Sequence, residues 1–395
     1  MREAVIVAAT RTAVGRSNKG TTKNTRPETM TIAVIKELLR QTEGKLDPAL
    51  IDDVVLGCAY PEGAQGLNVS RTIALMAGLP PEVPAQTINR FCSSGLQSIA
   101  IAAERIIANG ADIILAGGIE SMSYVPMIGH HLRLNLTAAE TMPEVYMGMG
   151  LTAERVAEEF EVTREAQDEY AYHSHMKAVK ALEAGIFEEQ IIPVEFEEVY
   201  VGPDGKQVRE TIVFDKDEHV RPDTTVEVLS KLRPVFKQGG TVTPGNSSPL
   251  SDGAAGVIVM EAEKAAKLGI SPLARFVGFN VGGVRPEVMG VGPIAAVPRV
   301  MERTGFKIED MDIIELNEAF ASQSVAVIRE LDFNPDKLNI NGGAIALGHP
   351  LGCTGAKLTV QALDELKRSK GKYGLVTMCI GGGMGAAGIF ENLTL

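Results

Sequence analysis

The sequence predicts an α/β protein made of two similar halves with a different segment inserted between them. Short β-branched runs alternate with longer stretches of helical period, the pattern of a largely parallel sheet covered by helices. The last third repeats the element order of the first, at a spacing far too long for a solenoid, which marks a duplicated domain. The stretch from about Ser121 to Asn246 is richer in charge and proline and alternates more weakly. On these grounds residues 1–120 with 247–273 form one half, 274–395 the other, and 121–246 an insertion. An insertion of this kind usually covers or completes a site that the scaffold builds.

In the first half, Ala4 to Ala8 reads as a buried strand, and Thr25 with Glu28 as a capping box opening a helix that reaches about Gln41. A strand at Val54 to Gly57, a helix at Asn68 to Ala77 and a strand at Ala85 to Asn89 follow. From Ser93 to Ala108 the apolar residues Leu96, Ile99, Ala103 and Ile106 recur every three or four positions, giving an amphipathic helix. The next strand, Asp112 to Ala116, ends at Gly117-Gly118. The second half returns the order: strand Ala274 to Phe279, helix Ile294 to Arg303, strand Asp312 to Leu316, helix Ala319 to Glu330. A short strand at Leu338 to Ile340, a helix at Leu351 to Arg368 and a strand at Leu375 to Cys379 complete it. Gly256 to Met260 and Ala386 to Phe390 each close one half. The insertion holds helices at Thr152 to Phe160 and Arg164 to Ala184, the second stopped by Gly185.

Composition narrows the function classes. Apolar residues make up 45% of the 395 and charged residues 22%, which suits a large buried core and not a disordered chain. Lys and Arg number 38 against 50 Asp and Glu, a net charge of −12 that carries no nucleic-acid footprint. Cys58, Cys92, Cys353 and Cys379 are too sparse for a disulfide framework, so a reducing compartment is expected. No stretch is long and apolar enough to span a membrane. Met1-Arg2-Glu3 runs straight into a strand, and Leu393-Thr394-Leu395 is no peroxisomal address, so the expected place is the cytoplasm.

Two loops carry chemistry. Cys92, in Asn89-Arg90-Phe91-Cys92-Ser93-Ser94-Gly95, sits where a strand gives way to a helix. Backbone N–H groups and the positive helix end there favour a thiolate, and a tight turn lifts the sulfur out of the sheet. Simple packing is the plain alternative for any cysteine. His349, in the glycine-rich run from Gly342 to Gly352, holds the matching place in the second half. If the halves are related by an approximate twofold, both loops face one cleft, and an imidazole there activates the thiol. The glycines suit close approach of a ligand.

Cys379 ends a strand, and the following Gly381-Gly382-Gly383 offers N–H groups to an oxyanion. Gly383 to Gly388 also fits a G-x-G-x-x-G pattern, but a strand follows it where a dinucleotide site needs a helix. Asn317, in Asn317-Glu318-Ala319-Phe320, stands at a strand-to-helix turn, where its amide either positions a water or caps the helix. His173 and His175 lie two apart on a helix and share no face, so no metal site is expected.

In order and spacing these four segments resemble the thiolase family over nearly the whole chain. The resemblance implies a five-layered α-β-α-β-α core of two duplicated halves plus a loop domain, the insertion, that binds coenzyme A. It implies that Cys92 is acylated, that His349 activates it, and that His349 with a water held by Asn317 forms one oxyanion site. Cys379 is then the second acid/base, and the N–H groups of Cys92 and Gly381 form a second oxyanion hole. Arg221 and Ser248 match CoA-contacting positions, and Met149 and Phe320 match positions lining the pantetheine and acyl path. Coenzyme A is implied as substrate, with no permanently bound cofactor, and the chain is expected to form a homodimer or a dimer of dimers.

Short-chain biosynthetic thiolases carry a histidine before the methionine that matches Met149; this sequence has Gly148 there, which looks more like the degradative 3-ketoacyl-CoA group. Acetoacetyl-CoA synthesis is the alternative. A decarboxylating ketoacyl synthase on the same fold would have histidine or asparagine in place of Cys379, and a non-catalytic acyl-CoA-binding relative would have lost a reactive residue.

Overall fold

Alternation along each strand sorts its side chains between cores. In the Ala4–Thr12 strand, Ala4 and Ile6 enter a central core while Val5 and Val7 enter an outer one. The Ile113–Ser121 strand does the same, with Ile114 and Ala116 central and Ile113 and Leu115 outer. On the other side of the molecule Val376 and Met378 face the central core and Leu375 an outer one of its own. Three cores between five layers follow from this period-two pattern. The computed structural model describes residues 2–395.

The duplication is explicit in the hydrogen-bonding order. The first half runs Ala85–Ile88, Asp53–Gly57, Ile113–Ser121, Ser251–Glu261, Ala4–Thr12, parallel for the first three and antiparallel thereafter. The second runs Leu338, Ile313–Leu316, Tyr373–Ile380, Met384–Asn392, Ala274–Gly283, with the same senses. Antiparallel pairing of Val5 with Arg275 and Ile6 with Ala274 joins the half-sheets into one hydrogen-bonded surface. Outside the first lie helices Pro27–Gln41 and Val69–Met76; outside the second lie Gly292–Thr304 and Ala321–Leu331.

Between the half-sheets, helices Ser94–Ile107 and Leu351–Ser369 cross at their first turns. A Cβ on Gly95 would come 2.6 Å from the Ala356 nitrogen, and one on Gly355 would come 2.3 Å from the Leu96 nitrogen. This backbone-to-backbone approach brings the loops bearing Cys92 and His349 together. Glycine is required at both positions.

Several element expectations are corrected. Thr25 does not cap: Pro27 fixes the first helical position, Arg26 becomes the N-cap, and Glu28 pairs with Arg26 while Thr25 Oγ1 is left without a partner. The Ile113–Ser121 strand runs through Gly117-Gly118, where Cβ atoms would strike Ala255 O at 2.3 Å and Gly352 O at 2.1 Å. Leu338 to Ile340 forms only a bridge from Leu338 to Ile314. The Ala321–Leu331 helix starts after Phe320, which pairs with Ser247.

Within the insertion, helices Met149–Glu159 and Arg164–Glu183 are followed by a hairpin, Val194–Val201 with Gln207–Phe214. Thr163 caps the second helix through the Ala166 N–H, and Gly185 (φ +68°) follows its end. Buried side chains fasten this segment to the core. Both terminal guanidinium nitrogens of Arg11 donate to Asp217 at 2.9 Å.

Candidate active site

Cys92 lies in a single 3-10 turn, Phe91–Ser93, between the Ala85–Ile88 strand and the Ser94–Ile107 helix. The turn is sharp enough to place Phe91 at φ +42°, a conformation costing on the order of 1–3 kcal/mol for a residue with a side chain. Local hydrogen bonds hold it: Phe91 N–H donates to Asn89 Oδ1 at 2.8 Å, and Ser94 Oγ donates to Phe91 O at 2.7 Å. The sulfur is buried, and the backbone N–H groups of Gly381 and of Cys92 itself act on it to favour the thiolate. Burial nevertheless dominates, with the Glu120 carboxylate adding to it, and the thiol is pushed up to about 12. The two N–H groups act to lower it, as the helix-start position leads one to expect, but in the free protein Cys92 is a thiol that needs a base.

His349 stands on the matching loop of the second half. Its Nδ1 is 2.6 Å from Thr354 Oγ1, which itself donates to Pro350 O at 3.2 Å. The hydroxyl has one proton, so Nδ1 carries the hydrogen and Nε2 keeps its lone pair. Asn317 Nδ2 lies 3.3 Å from that Nε2. The backbone N–H of His349 donates to Ser251 Oγ at 3.0 Å. Burial, then the Lys357 ammonium, hold the imidazole down to about 3, so it is neutral at physiological pH. The glycines of this loop answer to protein packing and not to a ligand. A Cβ on Gly343 would meet the Glu318 carboxylate at 2.1 Å, and one on Gly348 would meet His219 and Ser251 at 2.7 Å.

Cys379 is completely buried near the end of the Tyr373–Ile380 strand, packed with Phe320, Met289 and Met149. Its thiol is held well above the ordinary value by burial and then by proximity to Cys92. Gly381 follows two residues on, where a Cβ would lie 3.6 Å from the Phe91 ring. Asn317 is fixed by its N–H donating to Thr377 O at 2.9 Å, while its Oδ1 is buried with no partner among the described residues. A buried acceptor of that kind is satisfied by water.

A mostly apolar cavity of about 450 Å³ opens onto Cys92, lined also by Tyr60, Phe91, Gly148, Met149, Met289 and Gly381. Phe320 packs edge-to-face on Phe236 at 6.1 Å and shares a buried cluster with Met149 and Cys379. Ser248 donates its N–H to Ala319 O at 3.0 Å, two residues before Leu250 bridges His349. Arg221 has an exposed side chain, and its backbone N–H donates to His175 Nδ1 at 3.3 Å.

Sequence reading missed the braces. Glu318 accepts from Tyr170 (3.0 Å), Ser174 (2.6 Å), Asn339 (2.9 Å) and the Ile345 N–H (3.2 Å), tying the Asn317 turn to the His349 loop and the insertion. Glu120 accepts from the N–H groups of Ala59 at 2.8 Å and Gly352 at 2.9 Å. An acid ending an apolar strand was the only available signal.

A duplicated α/β fold that opens the Cys92 thiol onto an apolar cavity, with the Cys379 thiol close enough to act on it, points to a class: an acyltransferase. The comparisons narrow it. The family profile "Thiolase, N-terminal domain" matches residues 4–263 and "Thiolase, C-terminal domain" residues 270–392. The chain is 54% identical to a 3-ketoacyl-CoA thiolase of Bacillus subtilis over 391 residues, covering 99% of this chain and 100% of that one. It is 42% identical to beta-ketothiolase BktB of Cupriavidus necator, covering 99% and 100%. The solved structure of a Bacillus anthracis acetyl-CoA acetyltransferase superposes with a TM-score of 0.90 at 41% identity, covering 100% and 99%. The chain belongs to the thiolase family.

Proposed function

We propose that this thiolase works in the degradative direction, cleaving 3-ketoacyl-CoA with free CoA to give acetyl-CoA and a shortened acyl-CoA. His349 Nε2 takes the Cys92 proton, and the thiolate attacks the keto carbon. The C2–C3 bond breaks, its electron pair passing to the acetyl-CoA enolate, which His349 and a water on Asn317 stabilise and the Cys379 thiol protonates. The Cys379 thiolate then takes the proton of incoming CoA, whose sulfur displaces Cys92; His349 returns the proton to Cys92. The N–H groups of Cys92 and Gly381 receive the charge on the acyl oxygen. Arg221 and Ser248 are proposed to contact CoA, and Met149 and Phe320 to line the path of its pantetheine and acyl parts. Two covalent half-reactions give ping-pong kinetics.

The observation that carries the direction is Gly148: it lines the cavity beside Cys92, and a Cβ there meets nothing within 4 Å. A histidine would fill that space; glycine leaves it to the acyl chain. We also read the chain as a cytoplasmic homodimer or dimer of dimers. Among the described residues the outer strand Ala85–Ile88 pairs only on its inner side, and Leu67 beside it is 100% exposed.

The test is CoA-dependent cleavage of 3-ketoacyl-CoAs of increasing length. Cleavage across several lengths, lost in Cys92→Ala and narrowed to short chains in Gly148→His, is expected. Activity on acetoacetyl-CoA alone would leave the short-chain acetyltransferase reading in its place.

A further inference from the structure

Lys357 sits on the Leu351–Ser369 helix, behind His349, and is 1% exposed. Among the described residues its ammonium makes a single hydrogen bond, to Gln361 Oε1 at 2.9 Å. Among the described residues no carboxylate stands within ion-pair distance of it, because Asp217 is engaged by Arg11. Glu315 acts on it from the Ile313–Leu316 strand, and Glu315 Oε2 is buried without a hydrogen-bond partner. An ammonium so placed is costly, and methionine would fill the same volume without that cost. Packing does not explain the lysine.

Its position relative to the site does. Lys357 lies two turns along the helix that begins just after His349, on the order of 10 Å away. Glu315 is two residues from Asn317. Across protein interior at that distance, a positive charge measurably disfavours a second one. The groups that touch His349 are a hydroxyl, an amide and a serine: Thr354, Asn317 and Ser251. None is an acid that would stabilise an imidazolium. The ionisable groups turned toward Lys357 are Arg11 from the Ala4–Thr12 strand, Asp217 from the insertion, Glu315, and Cys353 on its own helix. Burial and Arg11 pull Lys357 below its ordinary value, and Lys357 in turn lowers His349 after burial itself.

We propose that Lys357 is a positioning residue that acts through His349: its ammonium keeps the imidazolium formed during acylation a strong acid, so that the proton returns to Cys92 when the acyl group passes to CoA. The proposal rests on reading Cys92 and His349 as nucleophile and base. In the first half-reaction the S–H bond of Cys92 breaks and Nε2–H forms; in the second, Nε2–H breaks and S–H is restored. Lys357 gains and loses nothing. It shifts the balance between the two.

The experiment is rapid-quench mass spectrometry of the acyl-enzyme with acetoacetyl-CoA and CoA, on wild type, Lys357→Met and Lys357→Arg. Lys357→Met should speed acylation, slow deacylation, and move their ratio toward the acyl-enzyme by about tenfold, the effect of roughly one pKa unit. Lys357→Arg should behave as wild type. Gln361→Leu, which removes the only acceptor of the ammonium and favours the neutral amine, should move the ratio the same way and serves if Lys357→Met does not fold. Both half-reactions slowing together, or neither changing, overturns the proposal. No acyl group on Cys92 in wild type, or normal turnover in His349→Ala, would instead remove the reading on which it rests.

Discussion

At the scale of single residues, the site works by denying charge to groups that hold charge easily in water. Burial keeps Cys92 a thiol and His349 a neutral imidazole, and the Thr354 hydroxyl decides which ring nitrogen keeps its lone pair. Thr354→Val removes the acceptor of Nδ1–H without changing shape. Turnover should then fall on the order of tenfold to a hundredfold, with Thr354→Ser near wild type; equal rates in all three would show that the tautomer is fixed by something else. Cys92, Asn317 and Cys379 were legible as candidates because each lies at or just past a strand end beside a helix start or a glycine run, and His349 because it stands in a glycine-rich loop just before a helix. Glu120 and Ser251 were not: their partners Gly352 and His349 lie 232 and 98 residues away, and no local pattern records a contact of that kind.

At the scale of elements, the site depends on how closely two helices cross. Gly95 and Gly355 leave no room for a Cβ, so Gly95→Val should destabilise the fold by about 1–3 kcal/mol or more and separate the two loops. Urea unfolding should register the loss and the acylation rate should fall with it. A variant as stable and active as wild type would mean the crossing is not the constraint. Periodicity read most elements to within a few residues, since alternation and helical spacing are what the three cores enforce. It failed where tertiary contacts override local signals. Pro27 moved the start of the Pro27–Gln41 helix past Thr25, and the glycine pair in the Ile113–Ser121 strand, read as an end, is a flat stretch for neighbouring backbone.

At the scale of the whole molecule, duplication sets the chemistry and burial sets the pH response. Each half delivers a loop from the same topological place, one with the thiol and one with the imidazole. Three histidines are buried neutral, held down mainly by burial: His175 to about 4, His219 to about 4 and His349 to about 3. Unfolding returns each to its ordinary value, so between pH 6.5 and those values the unfolded chain binds more protons. Stability is therefore present above pH 6.5 and lost as pH falls, by about 2 kcal/mol per histidine at pH 5. Glu315, raised by burial, acts in the opposite sense, its contribution fading as pH rises through its folded value. Urea midpoints from pH 5 to 7 should rise with pH, and a flat profile would contradict the neutral histidines.

An acyl group carried by Cys92 can be trapped there. The protein is mixed with a 3-ketoacyl-CoA in the absence of free CoA, quenched in acid and digested, and the peptides are weighed. An acyl adduct on the peptide containing Cys92 is expected, with acetyl-CoA released in equal amount and the adduct discharged by added CoA. An adduct on Cys379, or acetyl-CoA release with no adduct at all, would contradict it.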